Sequence, residues 1–317
     1  MEDNYLFDVS IIYVNYKNTN LIIDSYKSLK QFSNGFSYEV IVVDNSIDIN
    51  VINELKANLD SDVKIIDSGS NLGFGKANNL GAKEAKGRYL FFLNTDTILL
   101  NNAIYELKLF LDNNPNCGAC NPNLFKKDLT PNLSFSINEK NLKNYKNENG
   151  FMFFIKKRLF KRKDFFNFTD KPLKINGYLT GAALMMRSEA FNKLEGFDKD
   201  IFMYAEETLL CYRLMHELKY EMYNIPQAKI IHLEGGSFKG IKEFHQKSYI
   251  DGNYIYLSKA FGKKDADKFL LIMRKAFKRK MIFSKIIHKN YETYRSWYNL
   301  YTKKIEDINK KEIMWYG

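Results

Sequence analysis

A chain of 317 residues that is 45% hydrophobic and 15% aromatic is long enough to bury a sizeable core and too apolar to be disordered. Its net charge of +11 is uneven: from Lys239 to Gly317 there are 19 Lys+Arg against 8 Asp+Glu, which is the whole excess. A neutral body with a basic tail argues for a surface-binding tail and against a nucleic-acid groove.

No apolar run approaches the roughly 20 residues needed to span a bilayer. The start, MEDNYLFDVS, lacks a signal-peptide pattern. Three cysteines give no disulfide framework, and a reducing, cytoplasmic setting is expected. Cys117 and Cys120 form one CxxC without the second pair that zinc needs, so core thiols are expected.

In chain order, Asp8–Tyr16 is an apolar run that ends in polar residues, and Asn20–Phe32 carries apolar residues at helical spacing. Tyr38–Val43 is a second buried strand ending in Asp44-Asn45-Ser46. Ile52, Leu55 and Leu59 mark a helix, Val63–Ile66 a third strand, and Arg88–Leu93 a fourth. This βαβα alternation predicts a parallel, doubly wound sheet. Its polar strand ends, Asn15, Asp44-Asn45 and Asn94-Asp96, would gather at one edge, where such sheets bind ligands. On composition alone, Asp96 is as well read as a helix cap. NLGFGKANNLG, from Asn71, lacks both the GxGxxG and the P-loop spacing. It reads as a glycine-rich helix entry or a ligand-approaching turn.

Together, VSIIYVNY, VVDNSID, NLGFGKANNLG and LFFLNTDT resemble the family 2 glycosyltransferases of GT-A fold. Within them the chain most resembles the rhamnosyltransferase-like branch of bacterial surface-polysaccharide enzymes. The resemblance implies an α/β GT-A fold: a Rossmann-like, mostly parallel sheet flanked by helices. The catalytic domain would span residues 1–237, with a basic aromatic insertion near 125–175, and 238–317 would be a basic helical extension.

The resemblance also assigns roles. Val14 and Tyr16 would line the nucleoside pocket, and Asp44, with Asn45 beside it, would bind the base. Asn71, Gly73, Lys76 and Asn79 would surround nucleotide and sugar. Asn94-Thr95-Asp96 would be the DxD-type motif, with Asp96 on a Mn²⁺ or Mg²⁺ ion that neutralises the leaving diphosphate. A TGA-type strand, Gly177–Met186, precedes the turn at Gly196-Phe197-Asp198. Then comes a helix start, Phe202-Met203-Tyr204-Ala205-Glu206-Glu207. In relatives the second acid of this pair is the general base, which is Glu207 here. The family's usual Asp is replaced by Glu207, and its next acidic position by Leu209. Gly181, Tyr204 and Glu206 fall on the acceptor side. His232, with Gly235 and Ser237, matches an H-x-x-G-x-S motif whose His ligates the metal.

Phe151–Phe168 interleaves aromatics with Lys and Arg, which reads as a membrane or polyanion contact, a subunit interface or a solvated helix. Lys268–His288 is a basic amphipathic helix with Phe269, Met273, Phe277 (or Ala276), Met281 and Ile287 along one side. Peripheral contact with an anionic membrane through 268–288 is expected, with packing on the catalytic domain or on a second copy of the chain as the alternative. The expected activity is inverting, metal-dependent transfer from a nucleotide-sugar, dTDP-rhamnose or a UDP-hexose, to a glycan or lipid-linked glycan. A sugar nucleotidyltransferase and a non-catalytic membrane scaffold are the rival readings. Nucleic acid is not an expected partner.

Overall fold

The computed structural model of the chain describes residues 5–149, 170–233, 242–287 and 290–315. The run Phe151–Phe168, Gly235 and Ser237 lie outside the described residues. Two compact units divide the chain. One holds residues 5–139, 170–202 and 206–233, the other 140–149, 203–205 and 242–315.

The first unit opens with β1 (Phe7–Asn15), α1 (Thr19–Phe32), β2 (Tyr38–Asp44), α2 (Ile49–Asn58), β3 (Lys64–Asp67), α3 (Gly73–Glu84) and β4 (Gly87–Leu93). It continues with β5 (Thr97–Leu99), α4 (Ala103–Asn113), β6 (Cys117–Phe125) and β7 (Phe135–Ser136). After α5 (Leu142–Glu148), which belongs to the second unit, come β8 (Leu173–Lys174), β9 (Tyr178–Leu179), β10 (Ala183–Arg187), α6 (Ser188–Lys193), α7 (Glu206–His216) and β11 (Glu221–His232).

Among the described residues, nine strands form one sheet in the order β3-β2-β1-β4-β10-β6-β11-β5, with β8 beside β11. The strands β1 to β4 are parallel, β10 is antiparallel to both neighbours, β11 is parallel to β6, and β5 is antiparallel to β11. The sheet grows in opposite directions from β1, toward β2 and toward β4. That is the switch point at which open α/β sheets bind ligands beyond the carboxyl strand ends.

The strands are apolar throughout because both faces are covered. Alternation sends Ile11, Tyr13, Val42, Tyr89 and Phe91 to one core, under α1, α2 and α4. It sends Ile12, Ile41, Leu90 and Phe92 to the other, with Phe191 of α6 and Leu210 and Leu214 of α7. Asp48 starts α2 by accepting a hydrogen bond from Asn50 N at 2.9 Å.

One sequence expectation changes. Gly177–Met186 is not one strand. Ser134 O accepts bonds from Thr180 N (3.0 Å) and Oγ1 (2.9 Å), so the chain turns there. As a result β9 pairs with β7 in a separate two-stranded sheet, while β10 joins the main sheet. CGACNPNLF is a full nine-residue strand despite Pro122. The proline has no N–H for the ladder, and the β6–β11 register shifts between Ile225 and Lys229, next to the Ile225–Pro122 pair.

The second unit adds α8 (Lys242–Phe261), α9 (Lys263–Ile287) and α10 (Tyr291–Trp315) to α5. Here the apolar side of the basic helix is spent inside the protein. Phe269, Met273 and Phe277 are buried in α9. Phe277 stacks on Trp297 (5.2 Å, 9°) and on Tyr301 (5.7 Å, 20°), and Phe269 meets Tyr145 at 4.7 Å. Aromatic partners outcompete water for such a face. The side chain of Ile287 lies outside the described residues. Among the described residues, no helix is long and apolar enough to cross a membrane.

Candidate active site

The sheet's carboxyl edge carries the expected polar residues, and their hydrogen bonds separate those that build the edge from those that face outward. Asn15, the last residue of β1, pairs in register with Asp44, the last of β2. Asn15 Nδ2 donates to Asp44 Oδ1 at 2.7 Å, and Ser46 Oγ donates to the same oxygen at 2.8 Å. Ser46 N donates to Asp44 Oδ2 at 3.2 Å. Both Asn15 and Asp44 have 0% exposure. In this structure the Asp44 carboxylate therefore fixes the two loops beyond β1 and β2 and presents no surface to a base. Lys17 N joins the same network through Ser46 Oγ at 2.7 Å.

Asn45 connects this edge to the next. Its Nδ2 donates to Gly73 O at 3.1 Å, while its Oδ1 is buried without a hydrogen-bond partner among the described residues. Asn71 Oδ1 accepts from Gly73 N at 3.1 Å. Gly73 has a φ of +77°, and a Cβ there would sit 2.2 Å from Phe202 O, so only glycine fits. Val14 and Tyr16 are half-buried and Lys76 is exposed. Asn79 is a strut: Nδ2 donates to Phe197 O at 2.7 Å, and Oδ1 accepts from Phe197 N at 2.8 Å. Both ends of its amide hold the Gly196-Phe197 turn.

Asp96 and His232 come together. β5 pairs antiparallel with the end of β11 and sets Thr97 opposite His232, and Leu233 N donates to Asp96 O at 2.9 Å. Asp96 Oδ1 is 3.3 Å from His232 Nε2, with the Asp96 side chain 3% exposed and that of His232 18%. Among the described residues no three His, Cys, Asp or Glu side chains form a metal-holding group. Two neighbouring ligands of one octahedral Mg²⁺-like ion stand about 3 Å apart at bond lengths near 2.1 Å. The pair thus has a spacing that two neighbouring ligands of one cation could share.

The Gly181-Ala182 turn connects this edge to the acid pair. Asn94 N donates to Ala182 O at 2.9 Å, and a Cβ on Gly181 would lie 3.5 Å from both Glu207 Cβ and Phe74 Cε1. Glu206 is 5% exposed, whereas Glu207 is half-buried and accepts from Thr208 Oγ1 at 3.0 Å. Glu207 is thus the acid of the pair with surface to offer. Leu209, where the family's next acid would stand, is 1% exposed. Thr95 is buried, and Tyr204 groups with the second unit.

Sequence reasoning missed Ser46, and it used Asn15 only as a strand end. It also missed Asn132, whose Nδ2 donates to His232 O at 3.4 Å. A polar residue closing a buried strand was the available signal for Asn15. Asn132 depends on long-range register, whereas Ser46 bonds Asp44 only two residues away. The three cysteines are free and buried. Burial pushes the Cys117 and Cys211 thiols up to about 12, with the Glu207 charge adding to the effect at Cys211.

The sequence profile described as "Glycosyl transferase family 2" matches residues 10–193, more than half of the chain. The chain belongs to glycosyl transferase family 2. It is a glycosyltransferase, and the nucleotidyltransferase and scaffold readings fall away. The low-salt glycan biosynthesis hexosyltransferase Agl10 of Haloferax volcanii is 26% identical over 236 residues, covering 73% of this chain and 68% of that one. The N-acetylglucosaminyl-diphospho-decaprenol L-rhamnosyltransferase of Mycobacterium tuberculosis is 32% identical, but over 82 residues, 26% of either chain. Among solved structures, the mannosyltransferase PcManGT from Pyrobaculum calidifontis, in complex with GDP-Man and Mn²⁺, superposes with a TM-score of 0.53. The superposition covers 95% of this chain and 85% of that one at 14% identity, which speaks for a shared GT-A-like fold. The family match ends before Glu207 and His232, so their case rests on geometry.

Proposed function

We propose that this glycosyltransferase is inverting and metal-dependent, moving a sugar from a nucleotide-sugar to a hydroxyl of a glycan or lipid-linked glycan in surface-polysaccharide synthesis. The observation that carries the reading is the Asp96–His232 pair at 3.3 Å, on the sheet edge that the Gly181-Ala182 turn links to Glu207.

Val14, Tyr16, Asn45 and Asn71 border the nucleotide, with Asp44 holding their loops in place from below. Asp96 and His232 would hold the divalent cation, Mn²⁺ or Mg²⁺. When bound, that ion neutralises charge developing on the leaving diphosphate. Glu207 removes the proton of the acceptor hydroxyl. The freed oxygen attacks the anomeric carbon, and the bond to the diphosphate oxygen breaks, its electron pair leaving with the nucleoside diphosphate. A single displacement inverts the anomeric centre.

dTDP-rhamnose and UDP-hexoses are the first donors to try. The GDP-Man held by PcManGT adds GDP-sugars to the panel. The Agl10 and rhamnosyltransferase likenesses support a hexosyl or deoxyhexosyl donor and a glycan or lipid-linked acceptor. The basic surface of the second unit would hold the enzyme against an anionic membrane, with Lys275 and Lys278 exposed on α9. The test is a thermal-shift panel of UDP-, dTDP- and GDP-sugars with and without Mn²⁺. A shift with one nucleotide class, larger with metal, is expected. Stability unmoved by any of them would overturn the donor site.

A further inference from the structure

Tyr204 and Ala205 directly precede α7 with φ values of 69° and 70°. Two successive side-chain-bearing residues in the left-handed region persist only where their surroundings impose that conformation. One face of α8 supplies those surroundings. Tyr204 Oη lies 2.6 Å from His245 Nδ1. The Tyr204 ring meets Tyr249 edge-on, with centroids 6.1 Å apart, and Tyr249 is braced in turn by Trp297 at 5.7 Å. At Gly252 a Cβ would sit 2.0 Å from Tyr204 O and 2.9 Å from Met203 O, so the backbones meet where no side chain fits.

His245, Tyr249 and Gly252 stand four and then three residues apart, which puts them on one stripe of α8. Residues 203–205 group with this helical unit, whereas the residues before and after them group with the sheet. The sequence placed Tyr204 on the acceptor side, but its hydroxyl is engaged by a histidine that no motif singles out.

We propose that His245 is a positioning residue for glycosyl transfer: by its bond to Tyr204 Oη it holds the left-handed pair that sets how Glu206 and Glu207 enter α7. This rests on Glu207 as the base. A general base works only within hydrogen-bonding reach of its proton, and a displacement of about 1 Å costs on the order of 100-fold in rate.

The test compares Tyr204→Phe, His245→Leu, the double variant and His245→Asn, whose side chain keeps a hydrogen-bonding atom near the Nδ1 position. Turnover is read as nucleoside diphosphate release from UDP-glucose, GDP-mannose and dTDP-rhamnose, with water as acceptor. Deuterium exchange of residues 203–212 is read beside it. Tyr204→Phe and His245→Leu should lower kcat about tenfold to 100-fold with KM for the donor within twofold. Exchange in the segment should rise in both, and the double variant should be no worse than the worse single. His245→Asn should recover most of the rate.

Wild-type kcat in both single variants, a loss confined to KM, or unchanged exchange across 203–212 would overturn the proposal. Glu207→Gln separates the two readings. Wild-type turnover there overturns the base assignment, while exchange still reports the tether. An inactive Glu207→Gln beside a full-rate Tyr204→Phe overturns the tether alone.

Discussion

Asp96 Oδ1 and His232 Nε2 lie 3.3 Å apart because β5 runs antiparallel to the last residues of β11. A carboxylate and an imidazole offer a hard and a borderline donor to the same cation. Turnover is therefore expected to stop in EDTA and to return with added Mn²⁺ or Mg²⁺, read as nucleoside diphosphate release. Full activity in chelator would remove the metal from the mechanism.

Glu207 is half-buried beside the Gly181 turn, whereas Glu206 is enclosed. Replacing Glu207 by Gln keeps the volume and removes the base. The expected loss in kcat is about 10²–10⁴-fold, with donor affinity unchanged by calorimetry. The same substitution at Glu206 should act mainly on stability. Equal turnover in wild type and Glu207→Gln would reassign the base.

Asp44 accepts from Asn15 Nδ2, Ser46 Oγ and Ser46 N in a site with no exposure. Asp44→Ala leaves these donors buried without an acceptor, at about 1–3 kcal/mol for each that water cannot reach. The expected result is a lower urea midpoint together with weaker donor binding. An unchanged midpoint would show that the network contributes nothing.

Cys117 and Cys211 are buried, and burial raises both thiols to about 12. The reactive thiolate is then scarce in the folded protein at pH 8, and iodoacetamide should label the cysteines only after unfolding. The sign for stability follows. The unfolded chain releases these protons from about pH 8.5 upward, whereas the folded chain holds them until about 12. Their contribution is complete below about pH 8.5 and is lost as pH rises above it. Rapid labelling of the native protein at pH 8 would contradict the burial.

The strands β1, β2 and β4 were legible because each is a dense apolar run closed by a polar residue. Their parallel order followed from the helices between them. The acid pair at the start of α7 was legible as a motif. The family resemblance already assigned Asp96 and His232 to one metal, but the pairing that brings them together was not legible, because β5 is only three residues long and its partner lies far down the chain. The strut made by Asn79 was not legible for a related reason: an amide that ties down the Phe197 backbone has the same sequence signature as one that binds a sugar. The periodicity of α9 picked out Phe269, Met273 and Phe277, which are buried, but not the Trp297 and Tyr301 rings that stack on Phe277.

The most direct test is calorimetric titration of Mn²⁺ into the protein with UDP, dTDP or GDP present, for wild type, Asp96→Asn and His232→Ala. The account predicts nucleotide-dependent Mn²⁺ binding that each substitution weakens at least tenfold, about 1.4 kcal/mol. Equal Mn²⁺ affinity in all three proteins would contradict it and move the cation away from the Asp96–His232 pair.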